Sequence, residues 1–338
     1  MSREEFAHQL NRFLHRYDRF LISGHIRPDG DSVGVCTALA LCIQQMNKEA
    51  MLVFDGDASR YTQILKPVPA LPEEASVSEA GRYFKSGDTF AFIMLDCSEP
   101  ERTGRAADAI MVAEASLTID HHVTSKEAAD FNYVESNTGS TCEVLYALLC
   151  LMQVPITLPI ATALFMGAAF DTGGFRHSNT TADTYRMAAD LKEKGVDSTF
   201  LLNYLFHTRK FMEARALSQS LKNAKLYEGG ILISCMQQRD FFMLGMHAKE
   251  ADGVVGNLIE IEEAEVACYL REIEDGVIRV NMRSKSKVDV ARIAAQFGGG
   301  GHVRAAGCTS ELPMLLLKQQ LIAAIRAQLD SADDKKER

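Results

Sequence analysis

Positive charge is in short supply in this sequence. Lys and Arg number 36 against 45 Asp and Glu, a net charge of −9 over 338 residues, whereas a protein that coats long nucleic acid needs a broad basic surface. Small anions held by local devices stay open. Cysteines occur, but without the spacing of a disulfide framework or a structural zinc site. The eight, at 36, 42, 97, 142, 150, 235, 268 and 308, include no CxxC pair and fall mostly in apolar runs, the pattern of buried thiols in a reducing cytosol. No apolar run of membrane length survives inspection. Val144 to Phe170 carries no charge, but Pro155 and Pro159 cut it into pieces short of the ~20 residues a spanning helix needs. It reads as two buried helices joined by a turn at residues 154–159. No secretory leader is expected, because Met1-Ser2-Arg3-Glu4-Glu5 carries acids and runs into an amphipathic helix. Internal repeats and low-complexity tracts are missing too.

What is present is a globular composition, 24% charged and 47% apolar, at a length that suits two domains. Residues 3–17 read as a surface helix and 18–23 as a strand; Val33 to Met46 then reads as a helix and Ala50 to Phe54 as a buried strand. Strand, helix, strand at this spacing is a βαβ unit, which implies a parallel sheet. Further buried strands are Phe90 to Leu95 and Ser116 to Ile119. Residues 55–87 turn to Pro, Glu and Ser, with loops and short helices. Helical periodicity dominates from Asp183 to Leu226, and after the turn Glu228-Gly229-Gly230 the pattern changes to strands at 231–236, 266–271 and 277–282. The expected fold is therefore α/β: an N-terminal parallel-sheet domain with flanking helices over 1–190, a helical connector over 191–227, a smaller mixed-sheet α/β domain over 228–330, and a charged tail at 331–338.

Titratable residues recur where strands end. The first strand empties into His25-Ile26-Arg27-Pro28-Asp29-Gly30-Asp31-Ser32, the strand at 90–95 into Asp96-Cys97-Ser98, and the strand at 116–119 into Asp120-His121-His122; a later helix ends on Asp171 before Gly173 and Gly174. Asp29 and Asp31, two apart in a segment expected to be irregular, can face two neighbouring cations, with His25 closing the set. Any one of these residues alone is more often a turn former or helix cap. Four independent deliveries to one sheet edge are hard to obtain from capping. Near the other end, Arg283-Ser284 closes a strand, and Gly298-Gly299-Gly300-Gly301-His302 offers converging backbone N–H groups, with a helix N-terminus expected to follow, as a cradle for phosphate.

HIRPDGD, LDCS, DHH and FDT, in that order, resemble the four motifs of the DHH phosphoesterase superfamily, and RS followed by GGGGHVRAAG resembles its DHH-associated C-terminal domain. The likeness runs from about residue 18 to residue 310 and is greatest to the cytosolic nanoRNase and pAp phosphatase group. It implies a hydrolase that releases nucleoside 5′-monophosphates from short RNA oligonucleotides in the 3′–5′ direction and dephosphorylates 3′-phosphoadenosine 5′-phosphate (pAp). It also implies two divalent ions, usually Mn2+, one held by His25, Asp29 and Asp96 and the other by Asp31, Asp96, His121 and Asp171. Asp96 would bridge, His122 would act as general acid or phosphate donor, and Asp120 would orient the pair from behind. Arg283, Ser284, Gly299, Gly300, Gly301 and His302 would hold the substrate.

The residue types suit that chemistry. Phosphodiester cleavage needs a nucleophile at neutral pH and compensation for charge on the phosphoryl oxygens, which two cations about 3.5–4 Å apart supply. Four ligating carboxylates cancel two dications, leaving a centre an anionic substrate can approach. Alternatives on the same residues are a cyclic dinucleotide (c-di-AMP) or linear pApA phosphodiesterase and, outside enzymes, a nucleotide-binding sensor module. A pyrophosphatase would lack the GGGGH segment, and a RecJ-like exonuclease would need more chain and a basic track. Cytoplasmic location without a membrane partner is expected, and a homodimer stays open.

Overall fold

The computed structural model describes residues 1–85, 87–122, 125–208, 210–251 and 253–333, with His302, Ala332 and Asp333 described by backbone alone. The chain divides into two compact units, Met1–Thr208 and Arg209–Arg338.

In the first unit, α1 (Arg3–Arg16) starts with a capping box between Ser2 and Glu5, which satisfies orphan N–H groups of its first turn. The strands are β1 (Arg19–Ser23), β2 (Glu49–Val53), β3 (Ala91–Leu95), β4 (Ser116–Asp120) and β5 (Phe131–Val134). They form one parallel sheet in the order β2-β1-β3-β4-β5. Both faces of the central strands are covered, so β1, β3 and β4 are buried almost throughout and their period-2 alternation sorts side chains between two cores. Phe20, Ile22, Ala91, Ile93 and Leu95 join α1 and the helices α2 (Gly30–Gln45), α3 (Thr141–Leu151) and α4 (Leu158–Asp171). Leu21, Phe92 and Met94 face the segment around Leu71, Val77 and Phe84. Helices α2 and α4 approach closely through glycines: a Cβ on Gly34 would stand 2.6 Å from the Ala163 carbonyl, and one on Gly167 would strike Cys142 Sγ. The charge-free stretch forms parts of α3 and α4, separated by a break at residues 152–157. A further helix, α5 (Ala182–Glu193), packs on α4.

The second unit is a six-stranded mixed sheet, β10-β11-β9-β8-β7-β6, built from β6 (Lys225–Tyr227), β7 (Ile231–Met236), β8 (Val266–Glu274), β9 (Val277–Ser284), β10 (Gly300–His302) and β11 (Ala305–Ser310). Only β7 and β8 pair in parallel. One face packs α9 (Val290–Gln296) and α10 (Met314–Asp333) over Val266, Cys268, Val280 and Met282. The other packs α6 (Phe211–Asn223), α7 (Gln238–Leu244) and α8 (Val254–Leu258) over Leu232, Ala267 and Tyr269. The greater part of the charged tail, 334–338, lies outside the described residues.

Two expectations are corrected here. The glycine run does not lead into a helix: it forms β10, hairpinned to β11 through Gly300–Gly307, Gly301–Ala306 and His302–Ala305. The reason is close backbone approach, since a Cβ on Gly299 would strike the Gly307 carbonyl and one on Gly301 would lie 2.5 Å from the Ala305 carbonyl. The second correction concerns Asp31, which lies in the first turn of α2 rather than in an irregular loop. All eight cysteines are free, and six are buried, with Cys150 exposed and Cys235 between. No helix among the described residues is long and apolar enough to cross a membrane.

Candidate active site

The carboxyl ends of β1, β3 and β4 stand side by side, because β1 pairs with β3 and β3 with β4 in parallel register. Beyond β1 the chain turns sharply. Arg27 takes a left-handed conformation at φ 55° and is held there by its N–H, which donates to the Asp55 carbonyl at 2.8 Å. Asp29 is the N-cap of α2: its Oδ1 accepts from the N–H groups of Asp31 at 3.0 Å and Ser32 at 3.1 Å. That leaves Oδ2, which is 3.5 Å from His25 Nε2.

Asp31 has no exposed surface, and both of its oxygens accept N–H groups from the start of α3, Oδ2 from Thr141 at 2.7 Å and Oδ1 from Cys142 at 3.0 Å. A helix N-terminus is where an anion is favoured. Asp96, immediately after β3, also has positive φ, 61°. Its Oδ2 is 3.4 Å from His25 Nε2 and its Oδ1 is 3.6 Å from His121 Nε2. On the far side His121 Nε2 lies 3.2 Å from Asp171 Oδ2. Asp171 ends α4, and Gly173 and Gly174 turn the chain away with φ of 57° and 70°.

The expected residues thus converge in three overlapping groups: His25, Asp29 and Asp96; Asp31, His121 and Asp171; and Asp96, His121 and His122. Within each, one ligand-type atom per residue lies within 4.8 Å of the others. Asp120 stands behind them, its Oδ1 2.8 Å from His122 Nδ1. Oxygen and imidazole donors in this arrangement suit a hard divalent cation such as Mn2+ or Mg2+. The need for one is physical. Asp31 and Asp96 are buried, and among the described residues no Lys or Arg pairs with Asp29, Asp31, Asp96 or Asp171; histidines face Asp29, Asp96 and Asp171, and backbone N–H groups hold Asp31. Buried carboxylates without cations are costly.

The electrostatics reflect that cost. Burial, and then the charge of Asp29, pushes Asp31 up to about 6. Burial and then Asp31 push Asp96 to about 6, and burial with Asp31, Asp96 and Asp29 pushes Asp171 to about 9. Burial would depress His25, but its hydrogen bonds with Asp29 and Asp96 outweigh this and raise it to about 10. His121 is lowered, chiefly by burial. Asp120 differs: burial raises it, yet the hydrogen bond and charge of His122 prevail and hold it at about 2.

In the second unit, Arg283 is exposed near the end of β9, where it is paired in the sheet with Ala305 and Ala267. The Ser284 hydroxyl is buried and donates to the Val288 carbonyl at 2.6 Å. Gly299 and Gly301 are packed against β11, Gly300 has open space around it, and the side chain of His302 lies outside the described residues.

Sequence reasoning missed Thr141, whose hydroxyl donates to Asp96 Oδ1 at 2.8 Å, and Ser125, which donates to Asp120 Oδ2 at 2.9 Å. It also left Arg102 unassigned, although that side chain lines a small cleft with Ser98, Glu99, Asp120, His122 and Ser125. The signal for Thr141 was available: Ser140-Thr141-Cys142-Glu143 has the S-x-x-E form of a helix start.

Fold and site define a hydrolase built on two α/β units with a carboxylate and imidazole centre at the edge of a parallel sheet. The chain belongs to the DHH family of phosphoesterases: residues 19–168 match the family's N-terminal domain and residues 230–331 match the DHHA1 domain. It is 31% identical over 313 residues to the bifunctional oligoribonuclease and PAP phosphatase NrnA of Thermus thermophilus, covering 92% of this chain and 90% of the relative. It is also 28% identical over 335 residues to the cyclic-di-AMP phosphodiesterase GdpP of Geobacillus thermodenitrificans, covering 94% of this chain and 49% of that protein. In fold it resembles an exopolyphosphatase-related protein from Bacteroides fragilis, with a TM-score of 0.84 at 21% identity over 98% of this chain and 97% of the other.

Proposed function

We propose that this chain is a two-metal phosphodiesterase and phosphomonoesterase that degrades short oligoribonucleotides 3′–5′ to nucleoside 5′-monophosphates and converts pAp to AMP. The similarity to NrnA over nearly the whole length supports the substrates. The observation that carries the two-metal reading is Asp96, whose Oδ2 faces His25 while Oδ1 faces His121. A carboxylate aimed both ways is what two adjacent cations require. In this reading His25, Asp29 and Asp96 hold one ion and Asp31, Asp96, His121 and Asp171 the other, with manganese as the natural choice. The bound ions supply charge stabilisation at the phosphoryl group and activation of the attacking water.

The chain's own residues do the rest. His122, tied through Nδ1 to Asp120, delivers a proton from Nε2 to the leaving oxygen, and Asp120 fixes its tautomer. Arg102 offers its cation to phosphate beside His122. In this reading residues 1–190 are the catalytic part and 228–330 the part that holds the nucleotide, through Arg283, Ser284, Gly299, Gly300, Gly301 and His302; of the connector at 191–227, α6 and β6 pack into the second unit. Composition supports a cytoplasmic enzyme acting on small nucleotides. A second reading, supported by the similarity to GdpP, is hydrolysis of cyclic di-AMP or linear pApA.

Incubation of purified protein and manganese with a labelled diribonucleotide, pAp, cyclic di-AMP and pApA separates the two. The first pair should be turned over fastest; preference for cyclic di-AMP by more than about tenfold would replace the leading reading with the second.

A further inference from the structure

We propose that Thr141 is a positioning residue that clamps Asp31 and Asp96 from behind and decides which oxygen of Asp96 faces each side of the centre. This rests on the reading of those two carboxylates as metal ligands. The backbone N–H of Thr141 donates to Asp31 Oδ2 at 2.7 Å, and its hydroxyl donates to Asp96 Oδ1 at 2.8 Å. One residue therefore touches carboxylates that arrive from two different elements, α2 and the exit of β3. Thr141 and Asp31 have no exposed surface and Asp96 is 2% exposed, so water cannot substitute for either contact.

An oxygen that accepts one hydrogen bond keeps a second lone pair, so the clamp orients the carboxylates without using them up. With Oδ1 tied to Thr141, Asp96 cannot rotate about its last torsion. Oδ1 stays toward His121 and Oδ2 toward His25.

Thr141 is itself pinned. It is the first residue of α3, capped by Ser140, whose Oγ accepts from Glu143 N–H at 3.1 Å. Glu143 is 7% exposed, and instead of returning to Ser140 its carboxylate accepts from Gly139 N–H at 3.1 Å and Thr184 Oγ1 at 2.6 Å. Asn179 Nδ2 holds the Gly139 carbonyl at 2.9 Å from the other side. The turn that presents Thr141 is thus fastened to the start of α5, and the β-branch of threonine restricts the hydroxyl's swing.

The test compares full-length wild type, Thr141→Val and Thr141→Ser by titration with cobalt(II) alone, followed by calorimetry and by visible absorption of the bound ion. Valine keeps the branch and the N–H but removes the hydroxyl; serine restores it. Expected are cobalt binding about ten- to a hundred-fold weaker and an altered cobalt spectrum in Thr141→Val, with both properties restored in Thr141→Ser, while metal-free melting falls slightly and to a similar extent in the two variants, one losing a buried hydrogen bond and the other a buried methyl. Should the valine variant not fold, Thr141→Ala against Thr141→Ser makes the same comparison. Wild-type affinity and spectrum in Thr141→Val overturn the clamp while leaving the metal site standing, and so does a serine variant as defective as valine. A wild-type protein that takes up no cobalt overturns the metal site and the clamp together.

Discussion

His122 Nδ1 lies 2.8 Å from Asp120 Oδ1, and the same oxygen accepts the backbone N–H groups of His121 at 2.7 Å and His122 at 3.2 Å. Asp120 is 1% exposed yet stays ionised far below neutrality, and its hydrogen bond is the main reason the His122 pKa is raised. A group that must be protonated to act loses activity as pH rises through its pKa, so a raised pKa extends activity to higher pH. Asp120→Asn removes the charge, and its alkaline limb should move down by about one unit. His122→Ala should lower kcat by about 10²–10⁴. A pH–rate profile in which Asp120→Asn leaves the limb in place would detach Asp120 from proton transfer.

Protons and metal compete for the same oxygens. In the metal-free protein Asp171 has a pKa of about 9 against an ordinary 3.8, and His25 about 10 against 6.5. Both are raised in the folded state, so their contribution to stability is full below the unfolded values and is lost as pH rises through about 9 and about 10. His121 and Asp29, which are lowered, act the opposite way at more acid pH. Between pH 6.5 and 10 the metal-free fold should therefore weaken, and manganese should restore it. Thermal melts with manganese and with chelator should show a larger metal-induced gain at pH 9 than at pH 6. An equal or smaller gain at pH 9 speaks against these carboxylates as the site of uptake.

Asp96 combines contacts toward both His25 and His121 with an unusual backbone. Its φ of 61° is tolerated by Asp and Asn but costs other side chains ~1–2 kcal/mol. Asp96→Asn should fold as well as wild type in chelator, since it also removes one of the buried charges, while turnover falls more than about 100-fold, beyond what the loss of a supporting contact costs. Asp96→Ala should add about 1 kcal/mol of destabilisation to the same catalytic loss. Urea melts and manganese-dependent turnover check both, and an active Asp96→Asn would remove the bridging role.

Much of this was legible beforehand because period and punctuation agree. Buried parallel strands announce themselves as unbroken apolar runs, and an Asp or His stands at or within two residues of the ends of β1, β3 and β4, so those ends line up from the sequence. Short or weakly apolar strands were not legible. Phe131–Val134, with Asn132 at its centre, and Gly300–His302, made almost wholly of glycine, carry no strand signal of their own and exist through their partners. The Asp29-Gly30-Asp31 stretch reads as irregular because Asp and Gly crowd turns. The side chain of Asp29 caps α2 directly, and the helix begins one residue later. Thr141, more than a hundred residues away, could not be joined to Asp31 by any local pattern.

The glycine run allows structural and binding glycines to be told apart. A Cβ on Gly299 strikes the Gly307 carbonyl, and one on Gly301, at φ 143°, meets Ala305 and Ala306 backbone. Either alanine substitution should destabilise the second unit by ~1–3 kcal/mol. Gly300 has nothing within 4 Å of an added Cβ and no positive φ. Gly300→Ala should leave melting unchanged or slightly improved. If that open side is where a phosphate or base comes against the backbone, the same methyl should raise KM for pAp several-fold with kcat nearly unchanged. Wild-type KM in a stably folded Gly300→Ala would mean that the run serves only to let β10 and β11 lie close together, and substrate contact would have to be sought at Arg283 instead.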